Sequence, residues 1–221
     1  MAEAAIKPLV QGKVKPRLRG VSHLFAFVTS LGGLVMLGLS SATGVQHLAG
    51  LIYGGSLALM LGLSALYHRP MWTLSARKRM RKLDHSGIGL LIAGTYTPLA
   101  VLDAQGHWSA GLTVMWGGAL LALAFALFWS NAPRGLRAAV YIGLGLVSLP
   151  MLLRIPALIG SGPVLLLMVG AGIYIAGAVV YALRWPNPKP SVFGYHEVFH
   201  LMVIAAAAVH FLVVLGVQNP R

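Results

Sequence analysis

Apolar residues run through this chain in long unbroken blocks, not in the short alternating stretches of a soluble fold. No Asp, Glu, Lys or Arg occurs between positions 20 and 68, nor between 104 and 133. One membrane-crossing helix needs roughly 20 apolar residues, and a soluble core could not use so much uninterrupted apolar surface. The blocks predict seven spans, over 21–40, 46–68, 84–102, 110–129, 136–153, 163–183 and 196–217. Pro150 is expected to kink the fifth, and Arg154 lies at its end. A six-span reading stays open if that segment only re-enters the membrane. The expected fold is therefore an all-α membrane protein, a seven-transmembrane helix bundle. It forms one domain over 21–217, flanked by a basic tail at 1–20 and a short tail at 218–221. The first apolar run follows a polar stretch with no small-residue cleavage site, so it reads as a first span and not as a signal peptide. No internal repeat is apparent, which argues against an inverted-repeat transporter.

Composition agrees: 57% of residues are hydrophobic and 10% charged, where a soluble domain carries about a quarter charged. The net charge of +13 would suggest nucleic acid in a soluble protein. Here its meaning is topological. With seven spans, one side holds Lys7, Lys13, Lys15, Arg17 and Arg19, then Arg69, Arg77, Lys78, Arg79, Arg81 and Lys82, and finally Arg134, Arg137, Arg184 and Lys189. The other side holds only Arg154 and Arg221. Basic loops stay in the cytoplasm, so the expected N-terminus is cytoplasmic and the C-terminus outside, in a multi-pass protein of the plasma membrane. Arg77, Lys78, Arg79, Arg81 and Lys82 are also expected to meet anionic lipid headgroups, beyond their service as an orientation signal.

The few polar residues in the spans carry the chemistry, because ionisable groups there are costly and often functional. Cysteine is absent, so thiolate metal sites and disulfides are excluded and any metal must sit on His, Asp or Glu. Ser64 and His68 share one helix face, four residues apart, as do His196 and His200. Asp84 opens the third span. Under the deduced topology His68, Asp84, His196 and His200 all fall at the cytoplasmic end, an agreement that the charge count did not require. Three imidazoles and a water make a zinc site with one open position. Asp84 is the natural carboxylate to hold or deprotonate that water, and Ser64 could hold a second water or polarise a carbonyl. His47 and His107 fall on the other side, and His210 lies about 15 Å deeper than His200. His23 enters the first span at the right depth and is a weaker candidate for an extra ligand. Tyr67, Tyr96 and Tyr195 read as interfacial anchors or packing, and Gly50 and Gly54 as points of close helix contact.

Ser64-x-x-x-His68, Asp84 with Gly87 and Ile88, and His196-x-x-x-His200 resemble the motifs of the bacterial hemolysin III proteins. That family is related to the progestin and adiponectin receptors and, more distantly, to alkaline ceramidases. The run from Leu83 to Pro98 strengthens the likeness, which covers the whole membrane domain. The resemblance implies seven helices and an intramembrane zinc ion held by His68, His196 and His200. It places Asp84 on the attacking water with Ser64 beside it, and suggests hydrolysis of lipid amides with ceramide as the type substrate. His85 stands where the receptor branch has tyrosine, which fits the bacterial branch and leaves the substrate open.

Other functions stay in view. A non-enzymatic regulator or receptor would use zinc only to tie helices together. The cytolysin label of the bacterial branch implies a pore, yet no amphipathic pore-lining pattern appears. His196-Glu197-x-x-His200 also fits the metalloprotease pattern in which the glutamate is the base, but the segment 187–190 lacks the aspartate that intramembrane proteases add. A retinal photoprotein is excluded, because none of the predicted spans contains a lysine.

Overall fold

The structure is a computed structural model that describes residues 15–107 and 109–219. Lys7, Lys13 and Arg221 of the charge count lie outside the described residues, as do the outer parts of both tails. Among the described residues the named elements are all helical: α1 (Val21–Gly38), α2 (Gly44–His68), α3 (Leu74–Asp103), α4 (Ala110–Phe128), α5 (Arg134–Leu146), α6 (Leu149–Leu152), α7 (Pro156–Ile159), α8 (Ser161–Leu183) and α9 (Tyr195–Gln218). With α5 and α6 counted as one span, seven helical segments are long and apolar enough to cross a membrane.

Two boundaries differ from the sequence expectation by more than two residues. The third helix starts at Leu74 and not at 84, capped by Thr73, whose hydroxyl oxygen accepts from the Ala76 N–H at 3.3 Å. The basic run at 77–82 therefore rides on a helix that projects beyond the apolar zone. The fifth span breaks after Leu146, and Pro150 sits in the first turn of α6. Proline disfavours helix in the residue before it and accepts the first turn of a new one.

The bundle is arranged for lipid. Phe25, Leu121 and Phe128 are 69%, 74% and 88% exposed, an arrangement that water would not tolerate. The most buried spans are α2 and α3, which pack along each other. Small residues bring them together. A Cβ at Gly87 would lie 3.1 Å from the Met60 Cα, and one at Gly94 would collide with Ser56. Gly54 admits Leu34 and Leu37 of α1, and Gly50 admits Gln218 of α9. Dispersion packing through such contacts holds helices together in lipid, where apolar burial gives no drive. The pairs α1 with α2, α3 with α4, and α8 with α9 complete the ring, and α5 leans mainly on α8. This order brings the end of α2, the first third of α3 and the start of α9 to one end of the bundle. The same end carries Arg69, Arg77 and Lys78.

Candidate metal centre

His68 is the last residue of α2, and His196 and His200 occupy the first two turns of α9. One ring nitrogen from each lies within 4.8 Å of the others. The His68 and His196 Nε2 atoms are 3.1 Å apart. Tetrahedral zinc with Zn–N bonds of about 2.0–2.1 Å spaces its ligand nitrogens roughly 3.3 Å apart, so this pair already has ligand spacing. The His200 Nδ1 is buried and has no hydrogen-bond partner among the described residues. Three convergent imidazoles, one of them orphaned, with no thiolate available, fit a zinc ion.

Asp84 reaches the same place from α3, its Oδ2 3.8 Å from the His68 Nε2. Ser64, one turn before His68, lies beside Asp84, and both line the same cavity. The structure thus brings together Ser64, His68, Asp84, His196 and His200, all five of the principal residues singled out in the sequence.

His23 is placed differently. Its ring stacks on His200 with centroids 3.8 Å apart and planes inclined by 8°. Imidazole lone pairs lie in the ring plane, so a metal ion bound in the plane of His200 stands well outside the plane of His23. In this arrangement His23 buttresses the His200 ring and could not share a metal held by it. His47 and His107 lie at the opposite end, beyond reach of the cluster. Glu197 is also accounted for. Its carboxylate pairs with Arg19 and accepts the Gly194 N–H at 2.7 Å, closing the first turn of α9. A carboxylate held in this way is not free to act as a base.

The pairing also fastens a cover over the site. The Arg17 and Leu18 N–H groups donate to Ser191 and Val192 carbonyls at 3.1 Å. Gly20, at φ 76°, leaves no room for a Cβ beside the His68 side chain, so any other residue there would strain the cover. Lys15 donates to the Arg69 carbonyl at 3.0 Å. Burial, and then Arg69, Arg77 and Arg19, lower the pKa of its ammonium.

Sequence reasoning treated Arg137 as an orientation signal alone. Its guanidinium lies 3.2 Å from the His85 Nδ1 and 5.9 Å from the centre of the Tyr181 ring, while the Tyr141 hydroxyl donates to the His85 carbonyl at 2.7 Å. Arg137, Tyr141 and Tyr181 line a cavity of about 280 Å³ together with Ser64, Asp84, His196 and His200. The signal available was its position inside a predicted span, where an arginine is costly without a task. From the histidines the cavity runs among mostly apolar side chains, including Leu91, Met151 and Leu167.

The basic run of α3 divides by partner. Arg77, Lys78 and Arg79 are exposed, Lys82 is half-buried, and Arg81 donates to Ser130 and Asn131.

A family model described as Haemolysin-III related matches residues 11–211. The chain is 28% identical over 201 residues to Hemolysin-3 of Bacillus cereus, a match covering 88% of both proteins. It is 26% identical over 199 residues to the Hemolysin-3 homolog of Bacillus subtilis (strain 168), covering 88% of this chain and 90% of that protein. It is also 28% identical over 216 residues to the adiponectin receptor protein of Drosophila melanogaster, where the match covers 86% of this chain but spans only 48% of the receptor.

Proposed function

The chain belongs to the Haemolysin-III related family, and from that premise we propose that it is an integral membrane, zinc-dependent hydrolase of lipid amides. One observation carries the reading. Two of the three ligand-type histidines, His196 and His200, line a mostly apolar cavity together with the buried Asp84, and His68 stands beside them. Zinc, when bound by His68, His196 and His200, would supply a Lewis acid for the carbonyl and an acidified water.

The remaining work falls to the protein's own side chains. Asp84 accepts a proton as the water oxygen bonds to the carbonyl carbon. It returns that proton to the nitrogen as the C–N bond breaks, leaving a fatty acid and an amine. Ser64 fixes the Asp84 carboxyl. Arg137, held on His85 and Tyr181, offers N–H donors to the oxygen that gains charge. The apolar wall holds the chain and excludes water.

The distribution of basic residues supports a plasma-membrane protein with this end in the cytoplasm. Arg77, Lys78 and Arg79, exposed at that end, suit contact with anionic headgroups, and Lys82 lies beside them; Arg81 is engaged with Ser130 and Asn131. The cover formed around Arg19 and Glu197 favours a second reading, a regulator in which zinc only ties α2 to α9.

The two readings separate on fatty-acid release from a panel of N-acyl lipids by zinc-loaded protein in nanodiscs. Wild type is expected to release fatty acid. Glu197→Gln is expected to lose thermal stability but to keep most of its turnover per bound zinc. Zinc-loaded wild type that cleaves no lipid favours the regulator, and turnover abolished by Glu197→Gln alone favours the protease-like alternative.

A further inference from the structure

Ten residues beyond His200 on α9, His210 places an imidazole in the wall of the same cavity. It is 9% exposed and takes no part in the metal cluster. Its Nε2 lies 3.0 Å from the Leu167 carbonyl oxygen. A carbonyl only accepts, so Nε2 carries the ring proton and Nδ1 keeps a lone pair. That Nδ1 is buried without a partner among the described residues. An unpaired acceptor is expensive in a membrane interior, yet the sequence makes room for it. Gly170 on α8 faces the imidazole so closely that any Cβ would collide with the ring. One turn further along α8, Tyr174 lies edge-on to His210 with centroids 5.5 Å apart, and it lines the cavity too. Two polar side chains therefore meet in the cavity wall, with apolar Met151 and Leu167 also lining it.

We propose that His210 and Tyr174 form a subsite for a hydroxyl group carried part-way along the acyl chain, which donates to the His210 Nδ1. The proposal rests on the hydrolase reading, which sets the carbonyl beside Asp84 and the chain along the cavity. Ten residues of helix advance about 15 Å. An extended chain covers that distance in roughly a dozen carbons at about 1.25 Å each. A hydroxyl next to the carboxyl end cannot reach, and a plain chain leaves Nδ1 unpaired.

The test is competition for binding of labelled octadecanoic acid to the full chain in nanodiscs. The competitors are the unlabelled plain acid, the acid hydroxylated near carbon 2 and the acid hydroxylated at about carbon 12. The last is expected to compete roughly three- to tenfold better than the plain acid, the effect of one added hydrogen bond, and the carbon-2 form no better than the plain acid. His210→Phe and Tyr174→Phe are each expected to bring that preference towards one. Tyr174→Phe keeps the ring and loses only the hydroxyl. Equal competition by the three acids overturns the proposal. So does a preference that survives in His210→Phe, or in Tyr174→Phe if the histidine variant does not fold. Binding is read without turnover, so a missing preference with normal binding of the plain acid removes this subsite alone. Failure to bind any of the acids removes the lipid reading of the cavity as well.

Discussion

Asp84→Asn is expected to cut lipid-amide turnover by about 10²–10⁴-fold, the range for loss of an acid–base group, while the protein keeps its fold and most of its zinc. Asparagine has nearly the same shape as aspartate, so the helix contacts around Gly87 and Met60 stay as they are. The Ser64 hydroxyl keeps an oxygen neighbour at position 84. The three histidines are untouched, and the 3.1 Å spacing of His68 and His196 does not depend on the carboxylate. Only the ability to take a proton from water and return it to the leaving nitrogen is lost. Turnover per bound zinc, measured beside the thermal midpoint of each protein, checks the result. A turnover that falls only as far as zinc content falls would make Asp84 a metal-site residue without a part in proton transfer.

The double substitution of His196→Ala with His200→Ala should take the protein from about one zinc per chain to none. Both rings leave the same helix face and only His68 remains of the cluster. One imidazole cannot hold zinc against a dilute chelator. Metal bound to the folded state alone also stabilises it, so the thermal midpoint should fall. Metal-stripped wild type is the reference that separates this fall from the loss of two packed rings 4.4 Å apart. Stoichiometric zinc retained in the double variant would remove α9 from the coordination shell.

The seven spans were legible because uninterrupted apolar length has no alternative explanation. The start of α3 was not, because Arg77, Lys78, Arg79, Arg81 and Lys82 look like a loop to a hydropathy reading. They are good helix formers behind a threonine cap, and the local signal was there in Thr73. The break before Pro150 was legible in kind and displaced by a few residues, as the restriction on residues preceding proline requires.

At the site, the four-residue spacings fixed which histidines share a face, and alternation of helix direction put His68, Asp84, His196 and His200 at one end. Those are one-dimensional arguments. The stacking of His23 on His200 and the pairing of Arg19 with Glu197 join residues about 180 positions apart, and no local pattern encodes either. The cavity was hidden for a further reason. Leu91 and Leu167 line it, and residues that line an apolar cavity have the composition of residues that face lipid. Arg137 carried a signal of its own, a charge inside a predicted span, but it was read only as an orientation signal.

The central claim is a zinc ion on three imidazoles with one position left for chemistry. Zinc-edge X-ray absorption of the purified wild-type protein tests it most directly. The expected spectrum shows three imidazole nitrogens and one oxygen, all at about 2.0–2.1 Å. A shell of four imidazoles, with His23 swung from its stack to close it, or a protein that takes up no zinc, would contradict the account.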